Sequence, residues 1–205
     1  MASHDIIVIG ASAGGIEAMT KLVCTLPKNI PAALFVVLHI PPDSPSLLPE
    51  ILSRAGSLPA LHPADKTAIV PRRIYVAPPD HHLVIEKGYV QAIRGPKENR
   101  HRPAIDLLFR SAAKAYEQRV VGVILSGRLD DGTAGLLAIK RCGGVSMVQS
   151  PQEALYPQMP QSALNNVQID YCLPVEKMGE TLNRLAYEIV EEELNSEIPV
   201  KLENS

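Results

Sequence analysis

The apolar positions of this chain fall into two patterns. Short unbroken runs rich in β-branched residues, Asp5-Ile6-Ile7-Val8-Ile9, Ala33-Leu34-Phe35-Val36-Val37-Leu38 and Val120-Val121-Gly122-Val123-Ile124-Leu125, predict strands buried on both faces. Between them lie stretches with helical spacing. These are Ile16 to Thr25, Ser46 to Ala55 with Ser44 as its candidate cap, Ile105 to Tyr116, Ala134 to Cys142 closed by Gly143-Gly144, and Lys177 to Leu194, which ends in Glu191-Glu192-Glu193. Ile74 to Ala77 and Val145 to Val148 read as further short strands, and Pro160 to Asn165 starts a short helix. His82 to Glu86 and Tyr89 to Ile93 flank Lys87-Gly88 and read as a β-hairpin. Strand and helix alternate, which predicts βαβ units and a parallel sheet.

The strand ends carry the chemistry. The first run leads into Gly10-Ala11-Ser12-Ala13-Gly14-Gly15, a glycine-rich strand-to-helix turn that frees Ser12 from its neighbours. Such a turn can present a nucleophile or cradle a phosphate at a helix start. It lacks the three-glycine dinucleotide fingerprint and the P-loop lysine, which favours the nucleophile. The second run ends at His39 and the third at Ser126-Gly127-Arg128-Leu129-Asp130-Asp131-Gly132. In an open parallel sheet all strand C-termini share one edge, where ligands bind. A serine, a base and an acid would thus converge from three strands. Asp130 and Asp131 compete for the acid role, and either could instead cap the helix before Ala134. His62, His81, His82 and His101 compete with His39 as bases, and His4 reads as lying beside a disordered start.

These segments resemble the catalytic domain of the CheB-type chemotaxis protein-glutamate methylesterase family. The resemblance runs from about Asp5 to about Met178. It rests on Gly10 to Gly15, Val37-Leu38-His39-Ile40-Pro41, Tyr75-Val76-Ala77-Pro78, His101-Arg102-Pro103 with Asp106 and Leu108-Phe109-Arg110-Ser111, Leu125-Ser126-Gly127 with Asp131-Gly132, and Met159-Pro160 with Ala163-Leu164. It implies a doubly wound α/β fold, three layers with helices on both faces of a mostly parallel sheet. It implies a serine hydrolase with Ser12, His39 and Asp131 as catalytic triad, the acid being the aspartate immediately before glycine. The backbone amides of Ala13 and Arg128 would form the oxyanion hole. The implied substrates are glutamate γ-methyl esters, and also glutamines, of methyl-accepting chemotaxis receptors or a similar acidic helical protein. No metal or organic cofactor is implied.

Four positions depart from the family. Arg128-Leu129 stands where methionine and glycine are usual, Ala13 replaces a common hydroxyl residue, and Ala104 replaces a common serine. Leu129 puts the loop's shape in question, because a positive φ would strain it. Arg128 could clamp an acidic substrate or lie solvated at the surface. A regulatory or binding module with a weakened site, or an esterase or amidase for another substrate, is the alternative. Familiar members of the family also carry a receiver domain ahead of the catalytic one. The first strand here begins at about Asp5, so the expectation is one catalytic domain over 1–194, a flexible tail over 195–205, no receiver domain, and regulation through a separate protein.

Composition narrows the class. The 205 residues are 46% hydrophobic and 20% charged, with 4% aromatics and no Trp, as in an aliphatic α/β protein. A net charge of −2 and a pI near 6.3 argue against a nucleic-acid or anionic-membrane partner. No apolar run reaches the roughly 20 residues of a membrane helix, and no secretory signal is visible, which points to the cytoplasm. Cys24, Cys142 and Cys172 lack metal spacing and read as reduced, mostly buried thiols.

Overall fold

The computed structural model describes residues 2–43 and 45–190. Strands β1 (Ala2–Ser3) and β2 (Ile6–Ala11) precede α1 (Gly15–Cys24), β3 (Ala33–Leu38) and α2 (Leu48–Ala55). Then come β4 (Ala60–Leu61), β5 (Thr67–Ala68), β6 (Arg73–Val76), β7 (His82–Glu86) and β8 (Tyr89–Ile93). The second half holds α3 (Ile105–Tyr116), β9 (Val120–Ile124), α4 (Thr133–Arg141), β10 (Val145–Gln149), α5 (Gln158–Asn166), β11 (Tyr171–Leu173), α6 (Val175–Tyr187) and β12 (Ile189–Val190).

Seven strands form one sheet in the order β11-β10-β9-β2-β3-β6-β4, and every neighbouring pair is parallel. This is the expected doubly wound α/β fold. Period-two alternation sorts each strand's side chains between two cores. Ile7, Ile9, Leu34 and Val36 pack on one face with Met19 and Leu22 of α1, Leu52 of α2 and Met178 and Leu182 of α6. Ile6, Val8, Phe35 and Val37 pack on the other with Leu108 and Phe109 of α3, Leu136 of α4 and Met159 of α5. The hairpin β7–β8 pairs antiparallel as expected. It gains β5 as a third strand and joins the second core through Leu83, Ile85 and Val90.

The chain runs outward from β2 through β3 to one edge, then returns to β9 on the other side of β2. The crevice between β2 and β9 is therefore the topological switch point, where ligands bind in open α/β sheets.

Three expectations are corrected. The last helix stops at Tyr187 rather than Leu194, because Ile189 and Val190 pair antiparallel with Ser3 and Ala2. That pairing also orders Ala2 and Ser3, and His4 beside them is only 6% exposed. The cysteines are exposed rather than buried: Cys24 and Cys142 lie at helix C-termini and Cys172 on the edge strand β11. The candidate cap Ser44, the acidic run Glu191-Glu192-Glu193 and the tail lie outside the described residues.

Candidate active site

Ser12 and His39 leave adjacent parallel strands together. Ala11 and Leu38 are partners in the β2–β3 register, so the two residues that follow start about 5 Å apart. The amide of His39 donates to Ala11 O at 3.2 Å, and that of Ser12 donates to Ser126 O at 3.0 Å. The turn after Ser12 reverses through Gly14, whose φ of 72° suits glycine. Ser12 is partly exposed at the crevice.

The third strand supplies the acid. His39 Nε2 and Asp131 Oδ2 are 2.8 Å apart, with side chains only 7% and 2% exposed. Asp131 accepts three further hydrogen bonds: Ile105 N on Oδ2 at 2.8 Å, and Asn99 Nδ2 and Asp106 N on Oδ1 at 2.8 and 3.1 Å. The carboxylate thus sits on the first-turn amides of α3, where a helix stabilises negative charge. Burial pushes its carboxyl up, but hydrogen bonds from His39, Ile105 and Asn99 outweigh burial and hold it below the ordinary carboxylate range. An ionised Asp131 can only accept, so Nε2 carries the proton that it receives. His39 Nδ1 is left buried without a partner, and its lone pair can take a proton.

Asp106 mirrors this arrangement. It belongs to α3 and accepts the amides of Gly132 and Gly135 at the start of α4, at 3.0 and 2.6 Å. Each helix start is therefore held by an aspartate from the other's side of the crevice. Asn99 Nδ2 bridges the two carboxylates, reaching Asp106 Oδ2 at 2.7 Å. Burial raises the Asp106 carboxyl and the Asp131 charge adds to this, against the Gly135 amide and Asn99. Neither Asn99 nor Asp106 was assigned a role from sequence. Asp106 stood in a quoted segment, but its partners lie 26 and 29 residues away.

Asp130 is exposed, and it is its backbone carbonyl that accepts Thr133 N. The competing histidines are held elsewhere. His62 Nδ1 meets Val76 O, His81 Nδ1 meets Pro79 O, and His82 lies between Pro96 O and the Ala104 amide. His101 alone shares the cleft, stacked on the His39 ring at 3.6 Å and 6°. Burial, then the charges of His39, Lys97 and Arg100, depress its pKa against the pull of Asp131, which favours a neutral His101 beside His39.

The amides of Ala13 and Arg128 donate to no acceptor among the described residues. The loops that carry them are tied together: Ser126 Oγ donates to Ala13 O at 2.8 Å and accepts Tyr156 N at 3.0 Å, while Gln149 Oε1 accepts Ser126 N. Gly127 packs so tightly that a Cβ there would lie 1.9 Å from Met159 Sδ and 3.0 Å from Ser12 Cβ. Leu129 adopts a φ of 63°, so the loop takes a left-handed turn despite the missing glycine, with the side chain 59% exposed. The Arg128 guanidinium lies 4.8 Å above the Tyr156 ring.

Fold and site together define an α/β protein whose switch-point crevice gathers a serine, a buried histidine–aspartate pair and free main-chain amides, the parts of an acyl-transfer centre. A profile of the CheB methylesterase family matches residues 7–182, and the chain belongs to that family. The protein is similar to the Thermotoga maritima CheB methylesterase catalytic domain, with a TM-score of 0.84 and 34% identity over 88% of this chain and 98% of that one. A Leptospira interrogans relative is 39% identical over 184 residues, 89% of this chain and 95% of the relative. The protein-glutamate methylesterase/protein-glutamine glutaminase 2 of Methanosarcina acetivorans is 32% identical over 192 residues, 90% of this chain and 54% of that protein.

Proposed function

We propose that the protein hydrolyses glutamate γ-methyl esters of a chemotaxis receptor in the cytoplasm, releasing methanol, and deamidates receptor glutamines by the same route. Ser12 is the nucleophile, His39 the base and Asp131 the acid that orients it. His39 Nδ1 takes the Ser12 proton as Oγ attacks the ester carbonyl. The oxyanion forms against the amides of Ala13 and Arg128, each worth about 3–4 kcal/mol of barrier in comparable sites. The proton on Nδ1 passes to the leaving methoxide. Water then attacks the acyl-enzyme with His39 again as base, giving the carboxylate and free Ser12. Asp131 holds Nε2–H and stabilises the imidazolium formed at each step.

The observation that carries this reading is the buried His39–Asp131 pair, whose remaining nitrogen is unpartnered one strand from Ser12. The left-handed Leu129 supports an intact loop over a decayed binding module. The test is methanol release from methylated receptor by the parent and by Ser12→Ala. The variant should fold and lose all but the small residual rate that such sites keep without a nucleophile. Most of the activity surviving would refute the assignment.

A further inference from the structure

A cleft of about 300 Å³ opens beside the catalytic imidazole. One wall is His39 to Pro42, and the other is Lys97 with Arg100 to Arg102. The basic wall is built, not loose. Asn99 anchors it to both buried carboxylates, and Glu98 and His101 exchange backbone hydrogen bonds of 3.0 and 2.8 Å.

Its charges are not equivalent. Arg102 is held by Asp80, which it meets through Nε and Nη2 at 2.8 and 2.6 Å and which it shares with Arg94. Glu98, the acid within the wall, pairs with Arg110 at 2.7 Å. Asp131 and Asp106 are buried and occupied by their own donors. Lys97 and Arg100 are exposed and have no carboxylate partner among the described residues. Two uncompensated cations therefore face the cleft mouth, while the amides suited to the reaction's oxyanion stand on the other side of Ser12, at Ala13 and Arg128. Their position suits an anion other than that oxyanion.

We propose that Lys97 and Arg100 form an acid-selecting subsite that binds a second carboxylate of the substrate, flanking the ester under attack. This rests on the esterase reading above. It moves acid recognition away from Arg128, whose guanidinium is stacked on Tyr156. The scissile ester is neutral, so the ester group itself carries no charge by which an acidic segment could be told from a neutral one. Two exposed charges at a rim act chiefly on capture, with strong salt dependence.

The test uses two synthetic peptides, each with one glutamate γ-methyl ester, flanked by glutamates in one and glutamines in the other. The ratio of their kcat/KM values is read from methanol release. At low salt the parent should favour the acidic peptide about tenfold, the combined effect of two exposed ion pairs. High salt should erase most of that ratio. Lys97→Ala with Arg100→Ala should bring it to about one, and Lys97→Glu with Arg100→Glu should invert it. Lys28→Ala with Lys177→Ala makes the same charge change away from the cleft and should leave the ratio alone. The proposal is overturned if the parent shows no preference, if the preference survives the cleft substitutions, or if the distant pair abolishes it equally. If the parent cleaves neither peptide, methanol release from methylated receptor decides the esterase reading, and the subsite is read by binding instead. The ester-free acidic peptide, fluorescently labelled, should then bind the parent about tenfold tighter than the double alanine variant, and equal binding would overturn the subsite.

Discussion

Asp131→Asn replaces one carboxylate oxygen by an NH₂ group at a position surrounded by donors. His39 Nε2 and Ile105 N converge on Oδ2, and Asn99 Nδ2 and Asp106 N converge on Oδ1. An asparagine offers one acceptor oxygen, so either orientation turns its NH₂ toward two donors. If the NH₂ faces Oδ1's partners, Asn99 and Asp106 N lose their acceptor. If it faces Oδ2's partners, His39 must accept at Nε2, which places its proton on Nδ1 and removes the base. The second outcome costs roughly 10⁴-fold in kcat through the wrong tautomer. The first orientation strands two donors, Asn99 Nδ2 and Asp106 N, and the second strands Ile105 N, at about 1–3 kcal/mol each, a large part of a domain's stability. The assay is methanol release together with urea unfolding, for Asp131→Asn and for Asp130→Asn as control. Asp130→Asn should change neither by much, because that side chain is exposed. Acidification adds a check with a definite sign. The Asp131 carboxyl is depressed in the folded state, so its contribution is complete above the ordinary value of about 3.9 and fades as pH falls through the folded value. The stability gap between parent and Asp131→Asn should narrow below about pH 4. An Asp131→Asn variant with near-parent turnover, or one as stable as the parent at neutral pH, would refute the argument.

Three other outcomes follow from the same geometry. Gly127→Ala should lower turnover and stability, by about 1–3 kcal/mol for overpacking, since its Cβ would meet Met159 and Ser12; unchanged kinetics would mean the crevice yields more easily than its contacts indicate. Leu129→Gly relieves a left-handed leucine but gains unfolded-state freedom, so urea unfolding should find it within about 1 kcal/mol of the parent, whereas the β-branched Leu129→Val should be the less stable of the two. Asn99→Ala leaves the Asp106 and Asp131 carboxylates without their shared donor and should raise the Asp106 carboxyl further in an NMR titration; an unmoved Asp106 would show that the bridge does not govern its charge.

The strands β2, β3 and β9 and the helix α3 were legible because a buried parallel strand is apolar throughout and an amphipathic helix repeats every 3.6 residues. Both are local properties of consecutive residues. Ser12, His39 and Asp131 were legible as a set because parallel strands must end on one edge, whatever their order in the sheet. Their likeness to a known family supplied the roles proposed for them and the choice of Asp131 over Asp130, and it is Asp131 that meets His39. The tertiary structure decided what depends on distant partners. Asn99, Asp106 and Asp131 meet across 7 to 32 residues, and nothing in their spacing announces that one asparagine bridges two buried acids. The antiparallel pairing of β1 with β12 ended the last helix early, overriding a helical pattern that runs on in the sequence, and His4 beside β1 is buried. The three cysteines were misjudged because burial depends on which face of a helix end or edge strand meets the core. Arg128 could not be oriented from sequence, since only packing brought the Tyr156 ring beneath it and left Lys97 and Arg100 as the cleft's free charges.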